Sequence, residues 1–185
     1  FPKLRVMAEN QSNGKGHPWG RMTDDELVKS ARLYTMDRVT GEQGFNLAAV
    51  MLLGKEDVIL DIVPAYVTDA LLRRVNVDRY DDREIVQANL IESYELLMEF
   101  GHKHLLDKFF LEDDQRKSLR NIITREMIAN TLIHREYTSS YQAKFVIEKE
   151  RMYVENANRA SQEAVITPDN MEPSPKNPII ASFFR

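Results

Sequence analysis

The densest concentration of groups able to do chemistry lies in Arg125-Glu-Met-Ile-Ala-Asn-Thr-Leu-Ile-His-Arg-Glu-Tyr137. At about 100° per residue on a helix, Leu119, Ile122, Ile123, Glu126, Asn130, Ile133 and His134 fall within roughly 120° of one another. Arg120, Asn121, Thr124 and Thr131 fall on other faces. Glu126 and Asn130 are therefore expected in the middle of an apolar stripe, one turn apart. Buried polar groups are costly unless paired, so this pair either satisfies nearby backbone or faces a polar ligand. At the end of the same stretch, His134 and Arg135 with Tyr137 either contact a phosphate or close the helix as cations near its negative pole.

Other candidate chemistry is thinner. His102 and His104 are two residues apart, which on a helix points them to different faces and favours capping or solvation over metal binding. Asp107, Glu112, Asp113 and Asp114 form an acidic cluster that suits a cation or a solvated turn, without the spacing of an EF-hand loop. Gly54-Lys55 is followed by Glu and lacks the upstream glycine of a phosphate-binding Walker loop. There is no G-x-G-x-x-G, H-E-x-x-H or G-x-S-x-G. With no cysteine, a disulfide scaffold, a thiolate zinc site and a cysteine nucleophile are all excluded.

These groups must be held by a chain of 185 residues, 43% apolar and 29% charged, long enough to bury a real core. No apolar run approaches the ~20 residues of a membrane span, and Phe1-Pro2-Lys3-Leu4-Arg5 lacks the apolar segment of a signal peptide. The start at Phe leads to the expectation of a piece of a longer protein. Residues 1–22 carry a net +3, which leaves −7 for the rest of a chain whose total is −4. Such an acidic body is a poor nucleic-acid binder by itself. The basic residues Lys3, Arg5, Lys15 and Arg21, with Trp19, either touch DNA or belong to an interdomain linker.

Residues 10–20 are dense in turn formers and predict a loop, so 1–22 is expected to be an extended arm or linker. Thr23 with Glu26 forms a capping box that opens a helical segment over 23–57, interrupted by a turn at Gly41–Gly44 and containing a short apolar helix over 47–53 with Gly54 at its C-cap. After Pro64, residues 65–77 favour a strand and 78–83 a turn. Residues 85–105 return to helical spacing, and 117–134 form the clearest helix. Residues 142–148 and 152–155 alternate about a polar break and predict a β-hairpin. The stretch 160–176 reads as loop. Asn177-Pro178 then starts a helix as N-cap and first helical residue, and Ile179, Ile180, Phe183 and Phe184 suggest an element cut short.

Glu126-x-x-x-Asn130, on a helix of the form R-E-x-x-N-x-L-I-H-R-E-Y, resembles the N-box of the GHKL ATP-binding fold. More closely, the chain resembles the ATP-binding C-terminal region of bacterial transcriptional regulators related to the RecG helicase. In that family a Schlafen/AlbA-like DNA-binding domain precedes such a region. The resemblance extends over most of residues 23–185: Thr40-Gly41, residues 47–55, Asp81-Asp82-Arg83, Asn89-Leu90-Ile91, Glu155-Asn156-Ala157-Asn158 and Lys176-Asn177-Pro178-Ile179-Ile180. It implies that Glu126 orients or deprotonates an attacking water as general base and that Asn130 ligates Mg²⁺ on the phosphates of ATP. His134, Arg135, Asn156 and Asn158 complete the implied nucleotide-binding set. The D-x-G-x-G box of the family should fall near 156–159, where neither Asp nor Gly occurs, and its glycine-rich lid would lie beyond Arg185.

The expected fold is α+β, a two-layer α/β sandwich resembling a truncated GHKL-type domain over 58–185, with the helical segment before it. The expected role is the regulatory, ATP-binding-like module of a cytoplasmic transcriptional regulator. DNA would be contacted mainly by domains outside this chain, with no membrane contact and a homo-oligomer as a possible state. A working Mg-ATP-dependent ATPase of a DNA-associated protein, and a ligand-free structural or dimerisation domain, are the alternatives.

Overall fold

The computed structural model describes residues 1–158 and 175–184. Its N-terminal part runs α1 (Pro2–Lys15), a 3-10 turn (Pro18–Arg21), α2 (Asp24–Ser30), β1 (Tyr34–Met36), β2 (Gln43–Phe45), α3 (Leu47–Leu53) and α4 (Glu56–Ile62). Then follow β3 (Thr68–Arg73), β4 (Asp82–Val86), α5 (Leu90–His104), β5 (Leu111–Glu112), β6 (Gln115–Arg116) and α6 (Leu119–Ile133). β7 (Ala143–Glu148), β8 (Met152–Glu155) and α7 (Pro178–Phe184) complete it.

A mixed four-stranded sheet in the order β4-β3-β7-β8 carries the fold. β3 pairs antiparallel with β4 and parallel with β7, from Thr68 opposite Ala143 to Arg73 opposite Glu148. A parallel neighbour needs a crossover, and α5 and α6 supply it. Side chains alternate between the faces of a sheet, so Ala70, Leu72, Val86, Phe145 and Ile147 enter the core beneath the helices. Asp69, Lys144 and Glu155 lie on the other face, where Asp69 binds Arg83 at 2.8 Å and Lys144 binds Glu155 at 2.7 Å. The fold is thus α+β, with helices and sheet as layers, as the sequence predicts.

The reading of 1–22 as an extended arm is corrected. Leu4 and Ala8, one turn apart on α1, are fully buried, and Trp19 is buried with its ring stacked 4.9 Å from that of Phe183. Arg5 ties the helix down by donating to the Met22 carbonyl at 2.7 Å and pairing with Asp24. The turn formers of 10–20 mark only the end of α1, where Gly16 takes a left-handed φ of 67° and its N–H closes on the Ser12 carbonyl. One apolar core runs from Leu4 to Phe183, so the described residues of 1–22, 23–57 and 58–184 pack together.

The 85–105 helix is also corrected: Ile85 belongs to β4, and α5 starts at Leu90, capped by Asn89. Asp81 makes that strand possible by accepting the backbone N–H groups of Arg74, Val75 and Asn76, which turns β3 back on itself. The helical segment over 23–57 is corrected too: β1 and β2 pair antiparallel inside it, Tyr34 opposite Phe45, and the turn over 78–83 gives way to β4 at Asp82. The Thr23–Glu26 capping box, the 47–53 helix, the 117–134 helix, the β7–β8 hairpin and the helix after Asn177 are all present. Within 65–77 the strand occupies Thr68–Arg73. Most of the 160–176 loop expectation lies outside the described residues.

Because α1 belongs to the core, Leu4→Ala is expected to cost about 3 kcal/mol in urea denaturation, the usual loss for a buried leucine. A loss under about 1 kcal/mol, typical of a surface position, would return residues 1–22 to the status of an arm.

Candidate functional site

The predicted residues collect around α6, but not on the face expected. α6 turns Thr124, Ile128, Ala129, Thr131, Leu132 and Ile133 inward, while Ile122 and Ile123 are 43% and 45% exposed beside Glu126 and Asn130. The reason lies in the threonines. Thr131 returns its hydroxyl to its own helix at Met127, 2.8 Å away, and so packs as a methyl group. Thr124 rests on Gly101 of α5, where a Cβ would stand 2.7 Å from the threonine methyl, so glycine sets how closely the two helices approach.

Glu126 and Asn130 therefore stand in solvent rather than in an apolar stripe. The Asn130 amide donates to the Glu126 carboxylate at 3.1 Å, an i,i+4 pair on an open helix face. Both side chains are exposed, and among the described residues this bond leaves Asn130 Oδ1 and Glu126 Oε2 unused. Among the described residues neither side chain satisfies buried backbone.

His134 is the C-cap of α6, half-buried, with its N–H on the Asn130 carbonyl at 3.0 Å. Arg135, expected among the phosphate contacts, is 1% exposed. Its guanidinium donates to Thr68 Oγ1 on β3 at 3.1 Å and lies 4.9 Å from the Tyr66 ring and 5.7 Å from that of Tyr137. The two ring centroids are 6.0 Å apart, so cation and rings form a triangle inside the protein. Among the described residues no carboxylate pairs with Arg135. Burial lowers its pKa, though a guanidinium stays charged, and burial raises those of Tyr66 and Tyr137. Arg135 is thus an internal strut rather than a group open to phosphate.

The following turn is equally occupied. The Tyr137 hydroxyl donates to the Leu132 carbonyl at 2.7 Å. Glu136 pairs with Lys176 at 2.7 Å and accepts from Thr138, and its N–H meets the Ala157 carbonyl at 2.8 Å. Lys176, then the Thr138 hydroxyl and N–H, hold the Glu136 carboxyl down at about 2 from 4.5. Asn156 donates to the Thr131 carbonyl at 2.9 Å, while its Oδ1 is buried without a partner among the described residues. Asn158 is exposed. Sequence reading missed Tyr66, Thr68, Glu136 and Asn177 as members of this assembly. Only the run of polar types after α6 signalled it.

The other candidates resolve into structure. His104 and Lys103 both bind Asp82, at 2.8 and 2.7 Å. Asp113 and Asp114 are the two positive-φ residues of the β5–β6 turn, Glu112 pairs with Lys117, and Asp107 accepts from Ser118 at 2.7 Å. Among the described residues no three acidic or histidine side chains converge as a metal set, and no helix is long and apolar enough to cross a membrane.

Two predictions follow from this junction. Arg135→Met keeps an apolar stem beside the tyrosine rings and removes a desolvated charge, so its stability should stay within about 1 kcal/mol of the native chain. Arg135→Ala, which empties the site, should cost about 3 kcal/mol; equal losses for the two would mean the charge itself is what matters. The depressed Glu136 carboxyl contributes stability that is complete above about pH 4.5 and is lost as pH falls toward 2. Glu136→Gln should therefore flatten the stability profile in that window, and an unchanged slope would contradict the ion pair.

Comparison with known proteins agrees with this architecture without naming a chemistry. The family model of a domain of unknown function, DUF8451, matches residues 4–69, which run from α1 to the start of β3. No curated protein matches the sequence. The crystal structure of the DIP2311 protein from Corynebacterium diphtheriae superposes with a TM-score of 0.65 at 15% identity, over 100% of this chain and 36% of that one. The chain spans about a third of that neighbour's length, and the likeness is one of fold.

Proposed function

We propose that this chain is the ATP-binding-like, regulatory module of a bacterial transcriptional regulator, with DNA contacted by parts of the protein outside it. The observation that carries the reading is the Glu126–Asn130 pair. Two oxygen-bearing side chains stand one turn apart, in solvent, on a helix fixed firmly to the sheet, in the pattern of an N-box.

The residues fit Mg-ATP in part. Asn130 Oδ1 and the Glu126 carboxylate are hard oxygen donors of the kind Mg²⁺ prefers. The buried Oδ1 of Asn156, without a partner among the described residues and joined to the same helix through Thr131, offers an acceptor for the amino group of a base. When bound, Mg²⁺ neutralises phosphate charge. Asn130 would hold the ion and Glu126 would orient or deprotonate water beside it. Arg135 is already spent inside the fold, so any phosphate contact falls to His134 and to backbone.

Because Glu126 and Asn130 are exposed, Glu126→Gln and Asn130→Ala should each leave stability within about 1 kcal/mol of the native chain. Calorimetric titration with Mg-ATP should give saturable heat for the native chain and none for Asn130→Ala. Absence of heat with the native chain, or unchanged affinity in the variant, would sink the proposal.

A further inference from the structure

An α-helix leaves its last four carbonyls without partners inside the helix. In α6 each of these four is met. Asn130 O receives the His134 N–H at 3.0 Å, Thr131 O the Asn156 amide at 2.9 Å and Leu132 O the Tyr137 hydroxyl at 2.7 Å. Ile133 O receives both the backbone N–H of Asn177, at 3.2 Å, and its side-chain amide, at 2.9 Å. The same Asn177 amide also reaches the Arg135 carbonyl at 2.8 Å. Asn177 stands 44 residues beyond Ile133, immediately before α7.

Nothing local makes Asn177 lean on α6. Its own carbonyl starts α7 by accepting the Ala181 N–H at 2.8 Å, and α7 is docked by its buried Ile180, Ala181 and Phe183, with Ala181 lying among Ala129 and Ile133 of α6. Its side-chain amide is thus delivered to the end of α6 by the packing of another element. The carbonyls it grips follow Asn130 by three and five residues, so the pitch and rotation of that last turn set where the Asn130 side chain points.

We infer that Asn177 is a positioning residue for the Glu126–Asn130 pair, acting through the Ile133 and Arg135 carbonyls and making the docking of α7 a determinant of that pair's geometry. The ligand this serves rests on the proposed Mg-ATP reading; the positioning itself does not. Lys176, beside it, does something different. It forms a half-buried ion pair with the Glu136 carboxylate instead of bonding either carbonyl among the described residues.

The test is Asn177→Asp in the full 185-residue chain, which keeps size and helix-starting character but removes both side-chain N–H donors. In ¹⁵N-labelled protein the Asn130 side-chain amide resonances should shift. The amides of residues 131–134 should exchange about tenfold faster than in the native chain. Mg-ATP affinity should fall at least about fivefold. Lys176→Met should leave the Asn130 resonances in place, because it removes the ion pair with Glu136 and leaves both Asn177 amide bonds intact. Should Asn177→Asp fail to fold, Asn177→Ser, with one donor on a shorter arm, must move those resonances in its stead. Unmoved Asn130 resonances in a folded Asn177 variant would overturn the inference, as would an equal shift in Lys176→Met. If the native chain does not bind Mg-ATP, the proposed function fails while the resonance comparison still decides this one.

Discussion

A guanidinium is held inside the protein without a carboxylate among the described residues, at the point where α6, β3, α5 and α7 meet. Arg135 is met there by one hydrogen bond to Thr68 and by the faces of Tyr66 and Tyr137. Both rings are themselves fully buried and fixed through their hydroxyls, Tyr66 against Ser93 of α5 and Tyr137 against Leu132 of α6. One side chain thus brings together the end of α6, the start of β3 and the first turn of α5. The carbonyl of the same residue receives Asn177 and so brings in α7. A cation whose solvation is replaced by fixed dipoles and rings tolerates little displacement, which suits it to set the geometry of everything attached.

This arrangement divides one short sequence run between two kinds of work. Arg135, Glu136 and Tyr137 are consumed in holding helices and sheet together, while Glu126 and Asn130, nine and five residues before Arg135, are exposed. A rigid helix backed by a buried polar junction keeps these two side chains in place.

Much of the fold was legible in the sequence because its signals were local. Thr23 with Glu26, Asn177 with Pro178, and the alternation in 143–155 each specify an element through a few neighbouring residues. What escaped was decided by distant contacts. The turn formers after residue 10 concealed an N-terminal helix that is held by Trp19 stacking on Phe183, 164 residues away in sequence. Ile85 read as helical until Asp81 and the pairing with β3 made its segment a strand. The face of α6 was inverted because threonine was counted as polar. With its hydroxyl returned to the helix, Thr131 belongs to the core, and the isoleucines 122 and 123 are left outside. The Glu126–Asn130 pair was visible from spacing alone, whereas the burial of Arg135 was not, since nothing in its neighbourhood marks an arginine for the interior.

The claim that the Arg135 junction makes sheet, α6 and α7 one cooperative unit is tested most directly by native-state hydrogen exchange in mild denaturant. Amides of Ala70 and Leu72 on β3, Leu132 and Ile133 on α6, and Ala181 on α7 should converge on one opening free energy, that of global unfolding. Separate, lower-energy opening of α7 or of the α6 terminus, with β3 still protected, would contradict the account.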